Sequence, residues 1–191
     1  MPFLRWGILS TLLVTSSAFS QQLSFGVLGG VPLTSAVIVN PSGFTFDSAR
    51  KGMVGGLVEV SLPFGLSVEG DVLFHPLNLE VGANPPPPFT AITVYDYKVF
   101  EFPVLAKARL TSGLLRPFVE GGPTFRGSPD TLNISHFGVT VGFGVELGKR
   151  RLLRVSPEVR YTRWGSDNLI TANGVSGEQL NQVALLLGVS F

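Results

Sequence analysis

The sequence predicts an all-β chain: an eight-stranded antiparallel up-and-down transmembrane β-barrel with short periplasmic turns and long extracellular loops. Three observations support this fold class. The 191 residues are 45% hydrophobic but only 14% charged, against about 25% charged residues in soluble domains. After the N-terminal segment, no stretch has the roughly 18 continuous apolar residues that a membrane-spanning helix needs. Segments of roughly 9–11 residues instead alternate between apolar and polar or small residues, as membrane-crossing strands do.

The N-terminal segment has the pattern of a signal peptide. Arg5 is the positive residue, a short apolar stretch runs from Trp6 to Val14, and small residues follow at Ala18 and Ser20. We therefore expect a signal peptide over residues 1–20, cleaved between Ser20 and Gln21, and an outer-membrane β-barrel over residues 21–191. A buried helix is the alternative, but this apolar stretch is short and lies at the N-terminus.

The mature chain divides into eight expected strands separated by connections of alternating length. The strands are expected near Leu23–Val31, Met53–Leu62, Leu66–His75, Lys98–Leu110, Arg116–Arg126, Phe137–Gly148, Leu153–Trp164 and Asn181–Phe191. Short turns are expected at Pro63–Gly65, Thr111–Leu115 and Lys149–Leu152. Long connections are expected at Pro32–Gly52, Pro76–Tyr97 (with an extended proline run, Pro85–Pro88), Gly127–His136 and Gly165–Leu180. Short turns at one end and long loops at the other are typical of outer-membrane barrels.

The alternation leaves open which face of the barrel is inside. In the sixth expected strand, Phe137 to Leu147 places large apolar residues at every second position, opposite glycines, Thr140 and Glu146. A soluble lipocalin-like barrel would turn the large apolar face inward. Eight strands enclose an interior that side chains just fill, and Phe, Leu and Val from every strand would overfill it. The large apolar face is therefore expected to face lipid, with a Gly/Ser/Ala/Thr face and scattered charges inside.

Four prolines fall within the expected strands, at Pro103, Pro117, Pro123 and Pro157. A closed barrel has no free edge at which a missing N–H donor would be harmless. We expect bulges or strand ends to accommodate these prolines.

Charged residues of both signs occupy the strand positions that are expected to face inward, so we expect a charge network in the lumen. Its expected members are Glu59, Glu69, Asp71, Glu101, Lys107, Arg109, Glu120, Arg126, Glu146, Arg154, Glu158 and Arg160. Buried charges persist only when they are paired and hydrogen-bonded. Either these pairs plug the barrel and fix its register, or they rearrange to open a narrow selective pathway. At eight strands the plug is favoured because side chains fill the interior.

Catalytic and cofactor chemistry have little support in the sequence. The only histidines are His75 and His136. Ser135 adjoins His136, but adjacent strand residues point to opposite faces, so they do not form a catalytic dyad. A rim hydrogen bond near Asp71 is the favoured role for His75. No metal-ligand spacing or phosphate-cradling loop is present, and cysteine is absent, so we expect no catalytic residue, metal or cofactor. An outer-membrane enzyme acting on lipid is the weakest alternative.

Two further groups of residues have expected surface positions. The formal net charge is +1, and the basic run at Lys149–Arg151 lies in one short turn, so no nucleic-acid partner is expected. Aromatic residues near the loop-side strand ends are expected to form an interfacial girdle. Its members would be Phe74, Tyr95, Tyr97, Phe100, Phe125, Phe137, Tyr161 and Trp164.

Three segments carry a resemblance to a known family. Phe100–Lys107, Arg116–Pro123 and Gly188–Phe191 resemble the outer-membrane β-barrel domain family, which is broadly similar to outer-membrane protein A-like and porin-family small barrels. The resemblance spans nearly the whole mature chain. It implies an assembly signal at Phe191, read by the barrel-assembly machinery during insertion. Members of this family also tend to carry proline at the positions of Pro103 and Pro123.

Family membership of this kind predicts location better than activity, because the family mixes structural proteins, adhesins and small channels. We expect an integral protein of a Gram-negative-type cell outer membrane, exported through the inner membrane and surrounded by outer-membrane lipid. The favoured role is structural, or binding of an extracellular ligand at the loops. A narrow porin-like channel through the charged lumen is the alternative.

Overall fold

The alternating segments form strands that close into a barrel. The computed structural model describes residues 22–34, 44–49, 52–83, 91–129, 135–148, 153–165 and 180–191, with the backbone alone for 44–49, 77–83 and 91–97. The strands are β1 (Gln22–Pro32), β2 (Phe44–Ala49), β3 (Met53–Ser61), β4 (Leu66–Ala83), β5 (Ala91–Arg109), β6 (Leu115–Gly127), β7 (Phe137–Gly148), β8 (Arg154–Trp164) and β9 (Asn181–Ser190). In this part of the chain, no helix has the length and apolarity to cross a membrane.

Eight of these strands make the predicted antiparallel barrel, which is confirmed. Each pairs with its neighbours in the order β1, β3, β4, β5, β6, β7, β8, β9, and β9 returns to pair with β1. The closing pairs run from Gly26–Ser190 to Pro32–Ala184. Closure leaves no barrel strand with an open row of backbone donors and acceptors, which is what hydrocarbon surroundings require.

The large apolar residues lie on the outside of this barrel. Along β7, Val141 is 52% exposed and Phe143 is 63% exposed, whereas the inward Thr140 is 1% exposed. The other barrel strands alternate in the same sense, for example Val68 exposed beside buried Glu69. The soluble-barrel alternative, with its large apolar face inside, is therefore wrong.

Two of the predicted long connections contain strands. The segment expected to connect Pro32 to Gly52 includes β2, and β4 and β5 continue through most of the segment expected between Pro76 and Tyr97. The β4–β5 ladder runs without a change of register from Leu66–Ala108 to Ala83–Ala91, and β2 pairs with its far end. The prediction stopped these strands at the length of a membrane crossing, but their pairing continues beyond it. The proline run at 85–88 and the turn at 149–152 lie outside the described residues.

Of the two predicted ways to accommodate the prolines, bulges are not observed beside them, whereas Pro117 lies near a strand end because β6 begins at Leu115. The pairings Gly70–Val104 and Leu73–Glu101 on either side of Pro103 belong to one register, and so do Gly144–Glu158 and Leu147–Val155 beside Pro157. Pro117 and Pro123 pair in register with Val145 and Val139. A bulge would have shifted the register by one residue and exchanged the two faces. Instead, the β4–β5 and β7–β8 ladders keep their register and lack only the pairs beside Pro103 and Pro157.

The predicted short turn between β3 and β4 is a 3₁₀ turn over Pro63–Gly65. Phe64 and Gly65 have φ values of 63° and 78°. Glycine accepts this left-handed conformation without steric cost, and the Phe64 side chain is 96% exposed there.

Part of the lumen is apolar, which the sequence prediction of a small and polar inner face did not include. The inward side chains of β1, β3, β9 and the adjoining part of β4 form one buried cluster. Its members are Leu28, Met53, Leu57, Leu73, Ala184 and Leu186. The charges lie mainly on β4 to β8, with Glu59 on β3, and glycines provide room for them: a Cβ on Gly142 would lie 2.7 Å from a Glu120 oxygen.

Candidate functional site

The charged half of the lumen is the candidate site, and its residues form three layers along the barrel axis. The lower layer, at the short-turn end, contains Glu59, Arg109, Arg116, Glu146 and Arg154. The middle layer contains Glu69, Asp71, Lys107, Glu120, Glu158 and Arg160. The upper layer contains Glu101, Arg126, Trp164 and Gln182.

Arg160 on β8 is the centre of the middle layer. Its Nε donates to Glu120 Oε1 at 2.7 Å, and its Nη1 donates to Asp71 Oδ2 at 2.5 Å. Its Nη2 donates to Glu69 Oε1 at 2.8 Å and lies 2.8 Å from Glu158 Oε1. One guanidinium therefore joins carboxylates from two other strands and one on its own strand, which fixes β4, β6 and β8 relative to one another.

Lys107 is the second cation of the middle layer. Its Nζ donates to Glu69 Oε2 at 2.5 Å and lies 3.3 Å from Glu120 Oε2. The ammonium also stands 4.4 Å from the ring centroid of buried Phe118, a cation–π contact. Two cations thus face four carboxylates in this layer, and every one of the six side chains is at most 4% exposed.

Arg109 is the best-connected cation of the lower layer. Its Nη2 reaches Glu59 Oε1 at 2.6 Å and Glu146 Oε2 at 2.7 Å, and its Nη1 donates to Ser67 Oγ at 2.9 Å. Arg116 forms an ion pair with Glu146 Oε1. Arg154 Nη1 lies farther away, 3.7 Å from Glu59 Oε2 and 3.6 Å from Glu146 Oε2.

The upper layer includes Trp164, and its predicted place in the interfacial girdle is wrong. Trp164 is 1% exposed because it lies on the same inward face of β8 as Arg160 and Thr162, which are four and two residues before it. The Arg126 guanidinium carbon lies 3.8 Å from the indole centroid. The indole N–H donates to Gln182 Oε1 at 2.9 Å, and Gln182 Nε2 donates to Glu101 Oε1 at 3.4 Å.

A ladder of threonine hydroxyls lies between the middle and upper layers. Thr124, Thr140 and Thr162, on β6, β7 and β8, are joined by Oγ1–Oγ1 contacts of 2.5 and 2.7 Å. Above Arg160 is a cavity of about 10 Å³, lined also by Glu101 and Gln182. That volume holds roughly one water molecule, so this cavity between the charged layers is too small for a larger solute.

Every predicted member of the charge network lies on the inward face, and the structure adds Arg116. The sequence reading left Arg116 out, although its parity with Glu120 and Arg126 on the same strand was sufficient to include it. Glu101 and Arg126 are in the upper layer, away from the four-carboxylate cluster around Arg160.

The residues considered for catalysis do not assemble into a catalytic arrangement. Ser135 Oγ donates to the Phe137 carbonyl at 3.1 Å, and His136 Nδ1 lies 3.0 Å from the Arg126 carbonyl. His75 is buried, and the neighbouring Asp71 instead binds Arg160. Among the residues that the structure describes, no group of three or more His, Asp or Glu is arranged to hold a metal ion.

Outward aromatic residues stand at the loop-side strand ends. Phe74 and Phe100 lie with ring centroids 5.3 Å apart, and Phe125 and Phe137 lie 5.8 Å apart. The side chains of Tyr95 and Tyr97 and the cleavage positions Ser20 and Gln21 are outside the described part of the chain. Phe191 exchanges two backbone hydrogen bonds with Phe25, at 2.9 and 3.1 Å, and its ring is 72% exposed.

Comparison with solved structures identifies the fold. The chain is similar to Neisserial surface protein A (NspA), with a TM-score of 0.58, 14% identity, and coverage of 88% of this chain and 94% of that one. It is also similar to the outer membrane protein OprG of Pseudomonas aeruginosa, with a TM-score of 0.53, 13% identity, and coverage of 88% and 94%. No protein-family model and no curated protein sequence matches the chain. The chain therefore has the fold of the small eight-stranded outer-membrane barrels.

Proposed function

We propose that this chain is an integral outer-membrane protein whose barrel is plugged by its own ion pairs and supports a structural or binding surface outside the membrane. The observation that carries the proposal is the filled lumen. Three charged layers, the threonine ladder and the apolar cluster occupy the described interior, and the cavity above Arg160 has room for about one water molecule. The exposed apolar face supports the membrane location, because only lipid accommodates such a surface at low cost.

The extension of β4 and β5 supports the binding role. These strands have 18 and 19 residues, whereas the other barrel strands have 9 to 13. Beyond the last β3–β4 pair at Phe74 and the last β5–β6 pair at Phe100, the hairpin continues for on the order of 30 Å at about 3.3 Å per residue. β2 adds a third strand to it. A hydrogen-bonded sheet provides a more rigid platform for a ligand than an irregular loop.

Location is tested by membrane fractionation combined with heat-modifiable migration on a denaturing gel. We expect the protein in the outer-membrane fraction, with a shift in migration between unheated and boiled samples because the closed barrel resists detergent. A soluble periplasmic protein without this shift would contradict the membrane assignment.

A narrow channel is the second candidate function, favoured by the charged lumen and the small polar cavity above Arg160. Planar-bilayer recording separates the two candidates. The plugged barrel predicts no reproducible openings for the wild-type protein. The Arg126→Ala variant loses a cation of the upper layer alone. It should also give no reproducible openings, because the middle and lower layers remain. Resolved and reproducible wild-type openings would favour the channel.

The binding role is tested by shortening the extension. In a variant whose residues 79–94 are replaced by a short Gly-Ser turn, the heat-modifiable shift should persist because the barrel ladder is untouched. Full-length and shortened barrels are then compared on an array of extracellular-matrix proteins and envelope glycans. Signals that depend on the extension support the binding role, and equal signals contradict it.

A further inference from the structure

The short-turn end of the lumen is lined by a ring of serines and arginines. Each barrel strand contributes an inward residue at this end: Ser24, Ser61, Ser67, Arg109, Arg116, Glu146, Arg154 and Ser190. Ser61 pairs with Ser67, and Arg154 pairs with Ser190. Ser24 and Arg154 are 1% exposed and Ser190 is 6% exposed. This end of the barrel is therefore rich in buried hydrogen-bond donors.

Within the lower layer, guanidiniums outnumber carboxylates, whereas the middle layer has more carboxylates than cations. Three guanidiniums face two carboxylates, and Arg109 and Arg116 take the short contacts with Glu146. Arg154 has only charge contacts at 3.6 and 3.7 Å, which are beyond hydrogen-bonding distance. Among the described residues, its Nε and Nη2 have no acceptor. A buried guanidinium with free donors is costly, so this site favours an additional acceptor of negative charge.

We propose that the Arg154 guanidinium, together with serine hydroxyls of this ring, binds a small monovalent anion, of which chloride is the representative. One negative charge balances the excess of one guanidinium over the carboxylates. Guanidinium and hydroxyl groups supply N–H and O–H donors to an anion. Among monovalent anions, a monatomic halide needs less room than a polyatomic anion, which suits side chains this closely buried. A water molecule would accept from Arg154 but would leave the lower layer with one more guanidinium than carboxylates.

Bromide crystallography locates the anion directly. The barrel, refolded in detergent, is crystallised in bromide, which replaces chloride and scatters anomalously. We expect an anomalous peak within hydrogen-bonding distance of Arg154 Nε or Nη2. Density for water at that position, without an anomalous peak, would overturn the proposal.

Stability in different anions gives a second measurement. Urea unfolding of the barrel in lipid vesicles is compared between sodium chloride and sodium gluconate at equal ionic strength, since gluconate is too bulky for the ring. Chloride at ten times its dissociation constant should lower the unfolding equilibrium constant about elevenfold. In Arg154→Gln, which lacks the charge, this specific effect should disappear.

Arg163→Gln is the matched control because Arg163 is on the same strand but exposed, where it donates to Asn181 Oδ1 at 2.6 Å. It should keep the wild-type response, so general salt effects cancel in the comparison. If Arg154→Gln does not fold, Ser190→Ala keeps the charge and should weaken the chloride response. Equal anion responses in the wild type and in whichever of these two ring variants folds would overturn the proposal.

Discussion

Replacing Arg160 with methionine tests whether the middle layer holds the barrel together. Arg160 contacts Glu69, Asp71, Glu120 and Glu158 at 2.5 to 2.8 Å. Without it, four buried carboxylates face Lys107 alone. Removing one partner of a buried ion pair costs about 3–5 kcal/mol, and four partners are affected here. Since whole domains are stable by about 5–15 kcal/mol, we expect Arg160→Met to lose at least 3 kcal/mol or to fail to refold.

The measurement is urea unfolding of barrels refolded in lipid vesicles, followed by tryptophan fluorescence. A chain that begins at Gln21 contains a single tryptophan, Trp164, because the other is Trp6. Trp164 is buried against Arg126, so its emission should shift to longer wavelength when the barrel opens. Arg163→Gln is the control: Arg163 is exposed on the same strand and donates to the neutral Asn181, so the substitution should change stability by no more than about 0.5 kcal/mol.

A variant that also lacks two of the carboxylates separates electrostatics from packing. Arg160→Met combined with Asp71→Asn and Glu158→Gln removes the cation together with two carboxylates. Neutral replacement of a buried ion network is often tolerated, so this variant should recover much of the lost stability. If Arg160→Met unfolds at the same urea concentration as Arg163→Gln, the middle layer does not support the barrel in the way that its contacts indicate.

Three further predictions concern the two faces of the wall and the last residue. Gly142→Ala should cost about 1–3 kcal/mol by overpacking, because its Cβ would lie 2.7 Å from a lumen carboxylate oxygen. Outward Gly70→Ala, with nothing within 4 Å, should be close to neutral, and equal urea midpoints would contradict the close packing. Val141→Lys on the lipid face should cost about 2–4 kcal/mol and Leu153→Lys, at the strand end, about 0–1 kcal/mol; the reverse order in vesicle unfolding would argue against this placement of the membrane. Phe191→Ala should reduce the outer-membrane fraction in cells but leave refolding into vesicles unchanged, and normal cellular insertion would rule out an assembly signal there.

The two-residue period accounts for how much of the fold could be predicted. The alternation of side chains along a strand assigns Val141 to the lipid face and Glu120 to the lumen without reference to any partner strand, because successive side chains point to opposite faces. The same rule places every predicted member of the charge network inside. Where it was not applied, as at Arg116 and Trp164, the prediction was incomplete or wrong.

The errors of the prediction arise where pairing between distant segments decides the outcome. Strand length was judged from the membrane thickness, so the continuation of β4 to Ala83 and the addition of β2 were missed. Local sequence does not indicate that a partner strand continues alongside. Likewise, Pro103 indicated a local defect, but the two adjoining ladders keep their register on both sides of it.

The sequence by itself determined the all-β class, the number of barrel strands and the face on which each charge lies, because these follow from local alternation and from the volume of an eight-stranded interior. Only the tertiary structure decided which charges meet. Arg160 and Asp71 are 89 residues apart, and the layer that each charge joins depends on the register around the closed ring. The closed ring also brings the apolar cluster of the lumen together, since strands distant in sequence become neighbours when β1 pairs with β9.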